Sequence, residues 1–178
     1  MKIRALKLIH WSLLIIVLLP VLLTAHEGEE DASQEQIILD AESQAVADVL
    51  EEFARAFEEG NIDAIGQMTS AKSRFSHFEG TFADWSWESY AGHLAKEMPS
   101  FSETQYQIPN IRPETAGDMA FATYDWAMDV VVLSEEFEGG KHPVNMRGIG
   151  TAVFLKANDG WKIRHIHSAR AQSSPAEH

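Results

Sequence analysis

The chain has 178 residues, a formal charge of −13 and no cysteine. That length suits a single domain. The missing thiols exclude disulfides, thiolate metal sites, iron–sulfur clusters and thiol nucleophiles. The acidic balance repels phosphate backbones and argues against a nucleic-acid partner.

Residues 1–25 have the pattern of a secretory signal. Lys2, Arg4 and Lys7 make a positive start, Trp11 to Leu23 is apolar, and Thr24-Ala25 precedes the acidic His26-Glu27-Gly28-Glu29-Glu30-Asp31. That order predicts export to a periplasmic or secreted location, with no membrane contact after cleavage. A retained anchor is the alternative, because Leu23 is poor as the third residue before a cut. The apolar run of about 15 residues is nevertheless shorter than the roughly 20 a bilayer span needs. No cysteine follows it to carry a lipid. Removal of the segment takes away three basic groups and no acidic ones, moving the charge from −13 to −16. Residues 26–33 read as an acidic, disordered leader, and the domain proper is expected over residues 34–171.

Ser33 and Gln36 fit a capping box. Behind them Ile38, Ala41, Ala45, Val49, Phe53 and Phe57 form one apolar stripe on a long helix, which Gly60 ends. Asn61 can cap a second helix bearing Ile62, Ile65 and Met68. Ser73 to Phe78 reads as a short strand or extended loop. Ser86 can cap a third helix with Trp87, Tyr90, Leu94 and Met98 on one side, and Pro99 stops it. The texture then becomes β. Strands are expected over Phe101–Ile111, Met119–Leu133, Val144–Lys156 and Trp161–Ala169, with turns at Glu138-Gly139-Gly140 and Asn158-Asp159-Gly160. Residues 172–178 form a polar tail. Helices followed by a meander of long strands predict an α+β domain with helices on one face of a curved antiparallel sheet.

Phe53, Ala54, Phe57 and Gly60-Asn61 resemble the opening of the NTF2-like superfamily. The ending is more specific. Arg147-Gly148-Ile149-Gly150-Thr151-Ala152-Val153-Phe154-Leu155, Asp159-Gly160-Trp161-Lys162-Ile163 and His165-Ile166-His167-Ser168 resemble its SnoaL-like branch, and Gly117-Asp118-Met119-Ala120 fits the same template. The resemblance covers about residues 35–170. It implies an NTF2-like cone, often dimeric through the outer face of the sheet. It also implies a range of roles: ketosteroid-isomerase-like enzymes, polyketide cyclases, dehydratases, binding modules and kinase-association domains. Fold therefore does not carry function here. Ketosteroid isomerase needs an aspartate base facing the cone, and strand parity turns Asp125 and Asp129 away from that role.

The last strand supplies the leading site candidates. Simple alternation puts His165 and His167 on the same face as Trp161 and Ile163, which predicts two imidazoles pointing into the cone. Three readings compete: hydrogen bonding at the core rim, a ligand pocket with a histidine base or donor, and a metal site needing a third ligand such as His77. Spacing fixes no third ligand, and neither metal nor cofactor is expected. On the long strand the even positions are the more apolar, so Tyr124 and Trp126 are expected pocket walls. Arg147 would need an acid or an anionic ligand if it faced inward. Trp85 is the candidate lid residue. The reading is an exported module that binds a small, partly apolar molecule at His165, His167, His77, Tyr124 and Arg147. Two alternatives stay open: an isomerase, cyclase or hydratase with a histidine base, and a homodimeric interaction module.

Overall fold

The computed structural model describes residues 39–70 and 72–171. The expected signal, leader, capping box and tail lie outside them. The first helix, α1 (Ala41–Glu58), is capped by Asp40, whose side chain accepts from the Ser43 N–H at 2.7 Å. Its buried stripe includes Val46, Leu50 and Phe53. Gly60 follows at φ 66°, the left-handed turn that glycine adopts without a Cβ penalty. Asn61 caps α2 (Ile62–Gln67) and Ser86 caps α3 (Trp87–Glu97), as their side chains allow.

Seven strands form one sheet: β1 (Ser76–Glu79), β2 (Phe82–Asp84), β3 (Phe101–Gln107), β4 (Arg112–Ala116), β5 (Met119–Leu133), β6 (Lys141–Ala157) and β7 (Gly160–Arg170). Their order is β2-β1-β7-β6-β5-β3, with β4 also paired to β5. All pairings are antiparallel except β1 with β7. The expected strand over Phe101–Ile111 is broken into β3 and the start of the β4 approach. Asn110 takes φ 55° between them, and β5 is long enough to pair with both. The helices pack on the inner face of this curled sheet and enclose one core.

On β5 the even positions from Ala120 to Val130 are buried, as alternation requires. Their bulk is accommodated by β6. Tyr124 lies opposite Gly150, and Trp126 opposite Gly148. A Cβ added at Gly150 would overlap the Tyr124 ring, and one at Gly148 would sit 2.6 Å from Trp126 Cε2. The Gly-x-Gly segment thus gives two large inward side chains their space.

One residue changes the phase of β7. Phe154 pairs with Ile163 but Val153 pairs with His165, so Arg164 is an extra residue with no partner on β6. The bulge sits where the other edge of β7 changes neighbour. Ile163 bonds Met68 and Ser70 through its backbone, whereas His165 begins the pairing with β1 at Ser76. Trp161 and Ile163 point inward before the bulge, and Ile166 and Ser168 after it.

Gly150→Val should lower unfolding free energy by about 1–3 kcal/mol through overpacking. The loss should be smaller in a Tyr124→Leu background, measured by a denaturant double-mutant cycle.

Candidate functional site

The inner face closes on a cavity of about 100 Å³. Its walls come from α1 (Phe53, Phe57), α3 (Tyr90, His93, Leu94, Glu97), β1 (His77, Glu79), β3, β5 and β6. The second half of β7 supplies Ile166, Ser168 and Arg170. His77 and Glu79 share a strand face because they are two residues apart, and Asp84 lies directly across from His77 in the β1–β2 register.

His77 is 6% exposed and stacks on Tyr90 with ring centroids 4.3 Å apart. Its Nδ1 is sealed from solvent and has no hydrogen-bond partner; the nearest Asp84 oxygen is 3.7 Å away. Burial lowers the imidazole pKa to about 4, and the charges of Glu79 and Asp84 only partly oppose that. His77 is therefore neutral at neutral pH. His93 behaves oppositely. Nδ1 faces Asp84 at 3.2 Å and Nε2 faces Glu97 at 3.0 Å, an arrangement that only a doubly protonated ring satisfies as donor on both sides. Burial works against its charge, but the Asp84 and Glu97 hydrogen bonds and charges prevail and raise its pKa. Asp84 also accepts from Ser89 Oγ at 2.6 Å. At the rim, Arg170 directs two nitrogens at Glu79 Oε1, each at 2.7 Å.

Three tyrosines stand around the same interior. Burial raises Tyr90 and Tyr106 well above the ordinary phenol range, and Tyr124 to about 12, with its bond to Ser168 opposing. All are neutral donors at physiological pH. Tyr90, Tyr106 and a neutral His77 thus line the cavity among aromatic walls, with its charges at the rim.

The structure divides the expected site residues. His77 and Trp126 line the cavity. Tyr124 is inward and buried, with its ring against Gly150. His165 and His167 do not point into the cone, because the Arg164 bulge reverses their phase. His165 is half-buried on the outer face, with Nδ1 2.8 Å from Ser76 Oγ and its ring edge-on to Phe78. His167 is exposed and lines an outer-face groove with Arg112 and Thr151. Arg147 is also outward. It forms a two-pronged pair with Asp129 at 2.8 and 3.0 Å, so its charge is offset at the surface. Trp85 is 71% exposed and packs edge-on to Phe78 on the outer face, so it is not a lid over the cavity. Asp125 bonds Asn110 rather than facing the interior. Among the described residues no group of three or more histidine and acidic side chains is arranged to hold a metal ion.

Sequence reasoning did not single out Asp84, His93, Glu97, Tyr106 or Ser168. One signal was present: His93 and Glu97 lie four apart on α3, next to the buried Tyr90 and Leu94 positions. Asp84 had no such signal, since only the β1–β2 pairing brings it to His77.

The unfolded state takes up a proton at His77 near pH 6.5, the folded state only near 4. The stability held by the neutral ring is therefore complete above pH 6.5 and is lost as pH falls toward 4. It amounts to about 3 kcal/mol. His77→Phe should narrow the pH dependence by that order, measured as the wild-type minus variant unfolding free energy at pH 7.5 and pH 4. Above pH 6.5 the variant should also lose the cost of the unpartnered Nδ1, about 1–3 kcal/mol.

Comparison with known proteins agrees with this architecture. A family model described as a SnoaL-like domain matches residues 46–172. No curated protein sequence matches the chain significantly. An NTF2-like superfamily protein from Salmonella enterica serovar Typhimurium superposes with a TM-score of 0.63 at 17% identity, covering 75% of this chain and 94% of that one. A candidate dehydratase of the NTF2-like family from Streptomyces avermitilis gives 0.66 at 16% identity, over 76% and 100%. The CaMKII hub of S. rosetta gives 0.59 at 20% identity, over 75% and 100%. Such identities establish a shared fold and nothing of activity. With the family model spanning most of the domain, the chain belongs to the SnoaL-like domain family, and its fold is that of the NTF2-like cone.

Proposed function

We propose that this is an exported domain whose cone binds a small, partly apolar molecule, with His77 at the polar end of the pocket. Export rests on the order of charge, apolar run and small residues in positions 1–25. The binding reading rests on one observation: the helices and the curled sheet leave a largely aromatic cavity with a buried, neutral imidazole in its wall. The cavity of about 100 Å³ is small against the roughly 300–1,000 Å³ of drug-sized sites, so the occupant is a small molecule or the head of a larger one.

An isomerase or hydratase reading is weaker on physical grounds. His77 is neutral and has tyrosine donors nearby. A pKa of about 4, however, makes it a poor proton acceptor at neutral pH, where a general base works best near the ambient value. The Streptomyces relative's description as a candidate dehydratase keeps hydration chemistry worth assaying.

Ser168→Leu should plug the cavity, since Ser168 is small, buried and inward. A thermal-shift screen of small polar-ended fragments should give hits on the wild type that disappear in Ser168→Leu and weaken in His77→Phe. Hits that persist unchanged in both variants would place binding elsewhere.

A second reading is favoured by the outer face, where Ile149 and Trp85 are 64% and 71% exposed, with Phe121 and Met119 also open. Large apolar side chains left open on one face suit a second copy of the chain. The full chain should sediment as a dimer at micromolar concentration and Ile149→Lys as a monomer, with ligand responses of the cone unchanged.

A further inference from the structure

We infer that Glu97 is a proton-controlled gate at the mouth of the cavity, held in place by a charged His93 and released to solvent when that ring becomes neutral. As regulation of binding this rests on the reading of the cone as a pocket; the movement of the side chain does not.

His93 stands between carboxylates from two elements. Its Nδ1 is 3.2 Å from Asp84 Oδ2 on β2, and its Nε2 is 3.0 Å from Glu97 Oε1 one turn later on α3. A charged imidazole donates at both nitrogens. A neutral one has a single N–H, so its other nitrogen presents a lone pair, which repels a carboxylate oxygen at hydrogen-bond distance. Loss of one proton therefore breaks one of the two contacts.

Burial decides which. Asp84 is buried and also accepts from Ser89 Oγ at 2.6 Å. Taking His93 from it would leave a carboxylate short of donors away from water. The Glu97 side chain is 54% exposed and has no other partner among the described residues. It also ends α3, where the negative end of the helix dipole repels a carboxylate and favours a cation. The neutral ring keeps its N–H on Asp84, and Glu97 turns to water. Glu97 lines the cavity beside His93 and Leu94 of the same helix. Half-exposed, it lies where the cavity meets solvent, so its departure widens the mouth.

The other groups around His93 do not take its place. On β1, Glu79 is engaged by Arg170 and His77 is neutral. Phe82 and Tyr90 meet the ring as aromatics. Lys96 adjoins Glu97 in sequence and so does not share its helix face. Partial burial works against a charged His93, but the hydrogen bonds and charges of Asp84 and Glu97 outweigh it and raise its pKa above the usual 6.5. The His93–Glu97 contact is therefore complete below pH 6.5 and is lost as pH rises through the raised value.

The test is nuclear magnetic resonance of the full chain, without ligand, over about pH 5.5–9. The His93 ring nitrogens are followed together with the Glu97 carboxyl carbon and side-chain couplings. All should change with one midpoint above pH 6.5, the couplings passing from those of one rotamer to those of an averaged side chain. In His93→Gln the Glu97 step should vanish. In Glu97→Gln the His93 midpoint should fall toward 6.5; the exposed position lets that variant fold. Glu97 couplings that stay constant through the His93 midpoint would overturn the gate, as would a His93 midpoint at or below 6.5. Neither result bears on whether the cone binds a ligand, which the Ser168→Leu comparison decides.

Discussion

Arg164 has no partner opposite it on β6, and the phase of β7 reverses at that point. Before it, Trp161 and Ile163 close the base of the core; after it, Ile166, Ser168 and Arg170 form one side of the cavity. A strand without the extra residue would send the two histidines inward and Ile166 and Ser168 outward, because side chains alternate with a period of two. The composition of the pocket is therefore set by a local irregularity in backbone pairing. It occurs where one edge of β7 passes from the Met68–Ser70 segment to β1.

With that phase, the interior combines bulk and polarity in a consistent way. Gly148 and Gly150 make room for Trp126 and Tyr124, which narrows the cone. Burial then keeps the tyrosines and His77 uncharged, while the ionised groups stay at the rim in pairs. The result is a neutral, narrow, aromatic interior with paired charges at its edge.

The two faces of the sheet divide the remaining chemistry. The outer face carries His165, His167, Phe78 and Trp85 in one aromatic–imidazole cluster, together with the Arg147–Asp129 pair. Those groups lie on the side of the sheet away from the cavity. Their influence on ligand binding would run through the packing of β1 and β7, whereas a contact with another molecule would reach them directly.

Much of the architecture was legible in the residues themselves. Helix α1 ends at Gly60 and α2 and α3 begin at Asn61 and Ser86, because capping is a local interaction between neighbouring residues. The inward set of β5 could be read from alternation alone, since that strand runs without a bulge in its pairing to β6. The family resemblance placed these elements in a cone. The bulge at Arg164 left no mark in composition, because it arises from which strands meet the two edges of β7. The grouping of His77, Asp84, His93 and Glu97 likewise needed the β1–β2 register and the docking of α3, contacts between segments whose spacing along the chain does not encode their separation in space. Local sequence determined the elements, their caps and the phase of the regular strands. Tertiary pairing decided the phase of the irregular one, and with it the identity of the site.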